Sequence, residues 1–167
     1  MGLKFRGVAK GKPMQSGMAL KVQTMINEAV ALHQQGQLAE AKRIYEEVLK
    51  ANPKQFDALH LLGVIAYQAQ EHSLAVRLFD KAIAINPTEA DVYSNRGNAL
   101  KDLKLLDSAV ASYDKAIRLK PGYAMAHSNR GNALLELKQL DAALDSYNKA
   151  ISLQPDYADA YYNQGNI

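Results

Sequence analysis

Apolar and small residues recur along most of the chain at steps of three and four positions. One such stretch is followed by a second, and together they contain Tyr93, Gly97, Leu100 and Leu103, then Leu106, Ala109, Tyr113, Ala116 and Ile117. This spacing is typical of amphipathic α-helices. A proline follows each second stretch, and proline both lacks an amide donor and disfavours helical geometry in the residue before it. The pattern therefore predicts consecutive pairs of helices.

The pairs repeat with a period of 34 residues. Four of the five prolines keep this spacing, and so do glycine, alanine and aromatic positions; the prolines are Pro53, Pro87, Pro121 and Pro155. We number each repeat so that its proline is position 32. This gives full repeats at 22–55, 56–89, 90–123 and 124–157, and a partial fifth at 158–167. Glycine or alanine at position 8 and alanine at position 20 are expected to let the two helices of a pair approach closely.

Residues 94–100 and 128–134 both read Ser-Asn-Arg-Gly-Asn-Ala-Leu, within the periodic series of small, aromatic, small and proline residues. From 22 to 167 the sequence resembles the tetratricopeptide repeat family. The resemblance implies an all-α, right-handed superhelical solenoid of antiparallel helix pairs. It also implies a concave groove, lined by the first helices, as the binding surface. Position 7 departs from the usual apolar residue of that family in Glu28, Arg96, Arg130 and Gln164.

Charge and composition exclude several classes of function. The chain has no cysteine, which excludes a disulfide scaffold, a cysteine-ligated zinc site and a thiol nucleophile. The net charge of +3 comes from residues 1–21, a basic, Gly-rich tail with five Lys and Arg and no acid, which leaves 15 basic and 17 acidic residues in 22–167. We therefore expect no nucleic-acid partner. The tail composition favours disorder, although Ser16 could cap a helix that continues into the first repeat.

No catalytic arrangement is evident. The four histidines occupy different repeat positions without the spacing of a zinc-binding helix, and nearby carboxylates such as Glu46 and Glu47 are best explained as solvated charge. We expect no catalytic residue, metal or cofactor, and no enzymatic activity of this chain itself. No apolar run approaches the roughly 20 residues that span a bilayer. The expectation is thus a cytoplasmic protein without membrane contact.

Helical geometry predicts that positions 2, 5, 6, 9, 12 and 13 of each repeat face the groove. Positions 6 and 9 hold asparagine in the last three units: Asn95, Asn98, Asn129, Asn132, Asn163 and Asn166. A side-chain amide is both donor and acceptor, so such a ladder suits the main chain of an extended peptide. The alternative is that these asparagines hydrogen-bond between neighbouring repeats and fix their stacking. The two roles are compatible.

The groove of repeats 1 and 2 is apolar and aromatic at the same positions. Its residues include Leu61, Val64 and Tyr67. We expect this end to take hydrophobic side chains or a helix of a partner. The alternative is that the N-terminal segment of the chain itself covers it.

A narrower resemblance rests on the Asn-Arg-Gly-Asn strings and on residues 156–166, Asp-Tyr-Ala-Asp-Ala-Tyr-Tyr-Asn-Gln-Gly-Asn. These are similar to the repeat arrays of O-linked N-acetylglucosamine transferases and their bacterial relatives. In those arrays an asparagine ladder holds the backbone of protein substrates. The resemblance carries this role to Asn95, Asn129 and Asn163 first.

The favoured interpretation is a protein-interaction module that binds an extended peptide or partner segment in its groove. The alternative is the substrate-recognition region of a bacterial glycosyltransferase of the O-linked N-acetylglucosamine transferase type. Because Ile167 lies within the first helix of a fifth unit, we expect a fragment of a longer array, or self-association through the uncapped last helix.

Overall fold

The computed structural model describes residues 13–167, with side chains from residue 17 onwards, and this part of the chain is helical without strands. Its nine helices are α1 (Pro13–Gln34), α2 (Leu38–Ala51), α3 (Phe56–Gln68), α4 (His72–Ile85), α5 (Ala90–Asp102), α6 (Leu106–Leu119), α7 (Ala124–Glu136), α8 (Leu140–Leu153) and α9 (Ala158–Gln164). Consecutive helices pack in pairs, and each pair packs on the next. The predicted all-α solenoid of helix pairs is confirmed.

The prolines end the second helices as predicted. Helix α4 ends at Ile85, two residues before Pro87, and the intervening Asn86 has the extended geometry (φ −131°, ψ 95°) that a following proline favours. The turn inside each pair has its own signature at position 15. Gly36, Gln70, Lys104 and Lys138 all have positive φ there.

Helix α1 begins at Pro13, inside the segment 1–21 that composition marks as a tail. Residues 13–21 thus continue the first helix of repeat 1 towards the N-terminus. Residues 1–12 lie outside the described part of the chain, so disorder of the Gly-rich tail there stays a prediction.

The core of each repeat is an aromatic ring at position 24 pressed against position 8. The rings of Tyr45, Phe79, Tyr113 and Tyr147 are fully buried. A Cβ added to Gly97 would lie only 2.5 Å from the Tyr113 ring, and one added to Gly63 2.7 Å from Phe79. Only glycine therefore allows this approach in repeats 2 and 3. Alanine at position 20, which is fully buried in all four repeats, lets the same helices meet along their length.

The first helices line the inner side of the solenoid. Helix α3 contacts α5, α5 contacts α7 and α7 contacts α9, whereas the second helices pack mainly against first helices. Elements that approach each other more closely from repeat to repeat lie on the concave side of a curved stack. The prediction that position 5 faces the groove is wrong for Ser94 and Ser128, which are 0% and 1% exposed in the seam between repeats, whereas Tyr162 at the same position is 73% exposed.

The core changes along the stack. In repeats 1 and 2 one continuous apolar cluster runs from Ile26 to Phe79 and reaches α5. In repeats 3 and 4 the apolar residues form smaller clusters around Tyr113 and Tyr147. Position 23 follows the same division, since Ile44 and Leu78 are replaced by the buried serines Ser112 and Ser146.

Candidate functional site

Three side chains meet at each junction between repeats along the groove. They come from positions 9 and 24 of one repeat and position 6 of the next, and we call each set a groove triad. The four triads are Val30, Tyr45 and Leu61 (triad 1); Val64, Phe79 and Asn95 (triad 2); Asn98, Tyr113 and Asn129 (triad 3); and Asn132, Tyr147 and Asn163 (triad 4).

Triads 3 and 4 are closed by the same two hydrogen bonds. In triad 3 the Tyr113 hydroxyl donates to Asn98 Oδ1 at 2.7 Å, and Asn129 Nδ2 donates to the same oxygen at 3.1 Å. Triad 4 repeats this geometry at 2.7 Å and 3.0 Å, with Asn132 Oδ1 as the shared acceptor. The asparagines thus bridge neighbouring repeats, and the bracing role considered from the sequence is present.

The bracing leaves a defined set of groups for the groove. An amide oxygen has two lone pairs, and those of Asn98 and Asn132 are both used. Their Nδ2 groups have no partner among the residues described, and the same holds for the Oδ1 atoms of Asn129 and Asn163. Each polar triad therefore has one amide donor and one amide acceptor without a partner among the described residues, and all four side chains are half-buried.

The tyrosines of the polar triads stay protonated. Burial raises the pKa of Tyr147 to about 12, and burial also raises that of Tyr113. Each hydroxyl therefore keeps its proton and acts as a donor at neutral pH. This fixes the asparagine oxygen towards the core and the amide nitrogen away from it.

Triads 1 and 2 lack this network. Position 9 is valine in both, and Leu61 and Val64 are half-buried and pack on the apolar core. Asn95 of triad 2 instead pairs with His60, whose Nε2 lies 3.0 Å from Asn95 Nδ2. Burial lowers the pKa of His60, which keeps the ring neutral and able to accept this hydrogen bond.

Tyr67 lies further along the groove, at position 12 of repeat 2. Its hydroxyl donates to Asp102 Oδ2 at 2.8 Å, while Lys101 Nζ is 3.1 Å from Asp102 Oδ1. Burial alone raises the pKa of Asp102, but the hydrogen bonds from Tyr67 and Lys101 outweigh it and lower the pKa below its usual value. Tyr67 is thus held by a charge, and the groove ceases to be purely apolar at this point.

The two asparagines of the fifth unit are placed differently. Asn163 lies in α9 and completes triad 4, whereas Asn166 follows the end of α9 and is exposed. A role of Asn166 in the ladder stays a prediction. Tyr161 and Tyr162 of α9 are exposed, and self-association through them stays a prediction.

A second set of bridges, not predicted from the sequence, explains the polar residues at position 7 of the last three units. Arg96 Nε donates to Asp80 of the preceding repeat at 2.6 Å, and its Nη1 donates to the buried Ser112 at 2.7 Å. Equivalent bonds join Arg130 to Asp114 and to Ser146, both at 2.7 Å.

The amide pair of Gln164 and Asn148 replaces the charged pair at the last junction, at 2.7 Å. Positions 25 and 7 thus change chemistry together from Asp with Arg to Asn with Gln. That paired change is visible in the sequence and could have revealed the contact.

No group of three or more histidine, aspartate or glutamate side chains in the described residues is arranged to hold a metal ion. Within 13–167 no helix is both long and apolar enough to span a bilayer.

The tetratricopeptide repeat family matches the chain in four segments. Two matches described as "Tetratricopeptide repeat" cover residues 26–90 and 90–123, a third covers 112–145, and a match described as "TPR repeat" covers 131–167. No curated protein sequence gives a significant match.

Solved structures of this fold superpose on most of the chain. A crystal structure of MamA is 27% identical, with a TM-score of 0.78 over 83% of this chain and 81% of that one. MamA from Desulfovibrio magneticus RS-1 is 21% identical, with a TM-score of 0.75 over 82% and 77%. YrrB, described as a TPR protein with an unusual peptide-binding site, is 23% identical, with a TM-score of 0.79 over 86% and 74%. The matches, the 34-residue period and the packed helix pairs agree, and the chain belongs to the tetratricopeptide repeat family.

Proposed function

We propose that this protein binds an extended segment of a partner protein in its concave groove, and that the polar triads hold the main chain of that segment. The observation that carries this proposal is the hydrogen-bond state of Asn98 and Asn132. Each has a saturated oxygen and an unused Nδ2 group next to the unused Oδ1 of Asn129 or Asn163.

A peptide group offers one carbonyl acceptor and one N–H donor, which is the complement of what each polar triad presents. Because main-chain groups do not depend on the side chain, this recognition tolerates many sequences. Each hydrogen bond contributes about 0.5–1.5 kcal/mol net, so several triads act together. Both amides of each triad are already held in place by hydrogen bonds, which reduces the ordering cost of binding.

The charge distribution and the fold support a polypeptide ligand. The repeats carry a small acidic excess. A negative net charge disfavours binding of the phosphate backbone of a nucleic acid. The described peptide-binding site of YrrB shows that the shared fold can carry such a function.

The test is selection of linear peptides from a random displayed library, followed by affinity measurements on a selected peptide. A variant with Asn95, Asn129 and Asn163 all changed to Ala should bind at least about tenfold more weakly, because it loses three groove amides. The matched control changes Asp80, Asp114 and Asn148 to Ala. This control also removes bridges between repeats, but its substituted residues lie on the second helices and not in the groove. It should therefore bind the selected peptide with the wild-type affinity.

Circular dichroism must show that both variants are folded. Equal affinity of wild type and the groove variant would refute the ladder.

A further inference from the structure

Triad 1 contains a buried hydroxyl that has no hydrogen-bond partner. Tyr45 is fully buried, and its hydroxyl oxygen is without a partner among the described residues. The equivalent hydroxyls of Tyr113 and Tyr147 are satisfied by an asparagine at position 9. Position 9 of repeat 1 is Val30, which cannot accept a hydrogen bond. A buried polar group without a partner is destabilising, so its presence calls for a partner.

Repeat 2 has a different pair of residues at positions 9 and 24, and this pair contains no hydroxyl that needs a hydrogen-bond partner. There position 9 is also valine, Val64, but position 24 is Phe79, which has no hydroxyl. Tyrosine with asparagine and phenylalanine with valine are both self-consistent pairs. Tyrosine with valine occurs only in repeat 1, at the triad whose third member is Leu61.

A cavity lies at this place. Its volume is about 180 Å³, and it is lined by Val30, His33, Gln34, Tyr45 and Leu61. In triads 3 and 4 the asparagine of the next repeat donates to position 9 and joins the two first helices at this point. Leu61 cannot make that bond, and the cavity lies between α1 and α3 on the groove side. Engineered apolar cavities of about 150 Å³ bind benzene, so the room suits one ring or one branched aliphatic side chain.

We propose that this cavity is an anchor site for a single apolar side chain of the bound segment, and that entry of this side chain uncovers the Tyr45 hydroxyl, which is inaccessible in the unbound structure, so that it donates to a carbonyl oxygen of that segment. The inference rests on the proposed binding of an extended polypeptide in the groove. Burial raises the pKa of Tyr45 to about 12, which keeps the donor protonated. The ladder in triads 3 and 4 would then hold the main chain, and triad 1 would set the register by one side chain.

The site can be made polar, and the Tyr45 hydroxyl satisfied, with a substitution that the chain itself uses. Val30→Asn supplies the acceptor that Tyr113 and Tyr147 have, and with Leu61→Asn it recreates triad 3 in full. Val64→Asn is the matched control for stability, because it makes the same chemical change one repeat away, where Phe79 has no hydroxyl to satisfy. Tyr45→Phe removes the donor and keeps the ring.

The experiment uses the same displayed library of random linear peptides, selected in parallel on the wild type and on Val30→Asn. Wild-type selection should enrich an apolar residue at one fixed position, and Val30→Asn selection should not. A wild-type-selected peptide should bind Val30→Asn at least about tenfold more weakly and Tyr45→Phe about 3- to 10-fold more weakly. Leu140→Asn, an exposed substitution at the start of the second helix α8 and outside the triads, should keep the wild-type preference and affinity. Thermal unfolding should show Val30→Asn at least as stable as the wild type.

The outcomes separate this inference from the proposed function. Wild-type affinity in both Val30→Asn and Tyr45→Phe, with loss in the Asn95, Asn129 and Asn163 variant, would overturn the anchor site and leave the ladder. Loss in Val30→Asn and Tyr45→Phe, with no loss in the asparagine variant, would support the anchor and overturn main-chain recognition by the ladder.

Discussion

Repeats 1 and 2 and repeats 3 and 4 have the same backbone period but hold their helices together by different means. In the first half these helices meet through apolar residues of one core. Position 7 of repeat 2 is Leu62, and position 23 is Ile44 in repeat 1 and Leu78 in repeat 2. In the second half, the same places hold Arg96 and Arg130 with their buried serine partners. The difference teaches that a solenoid can replace apolar contacts between repeats by matched polar bridges without changing its geometry.

The groove follows the same division. Where the junctions are apolar, the groove has an open cavity and an unsatisfied hydroxyl at Tyr45. Where they are polar, Asn98 and Asn132 are braced and present amides in a fixed orientation. One half is therefore suited to bind side chains and the other to bind main chain.

Truncation of a position 7 side chain should cause the largest loss of stability. It should also distinguish the apolar half of the solenoid from the polar half. Leu62→Ala creates a cavity in the continuous core, with an expected cost of about 2–5 kcal/mol. Arg130→Ala removes the charge-assisted hydrogen bonds to Asp114 and Ser146, at about 1–3 kcal/mol, although the Ser146 hydroxyl still donates to the Ala142 carbonyl. The measurement is urea unfolding at low and high salt.

High salt screens partly exposed charges, so the effect of Arg130→Ala should shrink in salt and that of Leu62→Ala should not. Equal salt dependence of the two variants would contradict the proposed division.

Removal of the tyrosine hydroxyl at position 24 should lower the free energy of unfolding in the second half of the chain but not in the first. Tyr113→Phe deletes a hydrogen bond to Asn98, and we expect a loss of about 1 kcal/mol. Tyr45→Phe deletes a buried hydroxyl without a partner, so we expect unchanged or increased stability. Thermal unfolding of the two variants beside the wild type checks this pair. A loss in Tyr45→Phe as large as that in Tyr113→Phe would show that Tyr45 is satisfied.

The stability of the protein should depend on pH through His60, which lies at the boundary between the two halves. Burial lowers the pKa of His60, against the opposing effect of the nearby Asp91, Asp57 and Glu89. The unfolded chain therefore takes up a proton at higher pH than the folded chain, so stability falls as pH drops below about 6.5. Protonation also removes the acceptor for Asn95.

Denaturation midpoints at about pH 7.5 and about pH 5.5 measure this effect. His60→Gln keeps an acceptor without titrating and should reduce the pH dependence. The part that remains is expected from His127, whose pKa burial also lowers. An unchanged pH dependence in His60→Gln would exclude His60 as its source.

The sequence was sufficient to predict the repeats, because position 24 rings, small position 8 residues and prolines each impose a local geometry. The four second helices end two residues before their prolines for that reason. The sequence was not sufficient for contacts between repeats. Whether Ser94 faces the groove or the seam depends on how far adjacent first helices rotate against each other, which no local pattern determines.

The asparagines illustrate the same limit. Their periodicity identified the groove face, and both a ladder and a brace were consistent with it. Only the distances between Asn98, Tyr113 and Asn129 show that the oxygen of Asn98 is used and its nitrogen is not. The bridge from Arg96 to Asp80 spans 16 residues of chain and two repeats, so helical periodicity alone does not predict it.

The central claim is that the polar triads bind the main chain of the partner segment. Chemically modified peptides test it most directly. A peptide selected on the wild type is resynthesised with single N-methyl groups on successive main-chain amides, and separately with single alanine substitutions, and each affinity is measured. The account predicts losses of about tenfold for N-methylation at the residues that lie on triads 3 and 4, and losses below about threefold for alanine at the same residues. Tolerance of N-methylation together with large losses on alanine substitution there would contradict it.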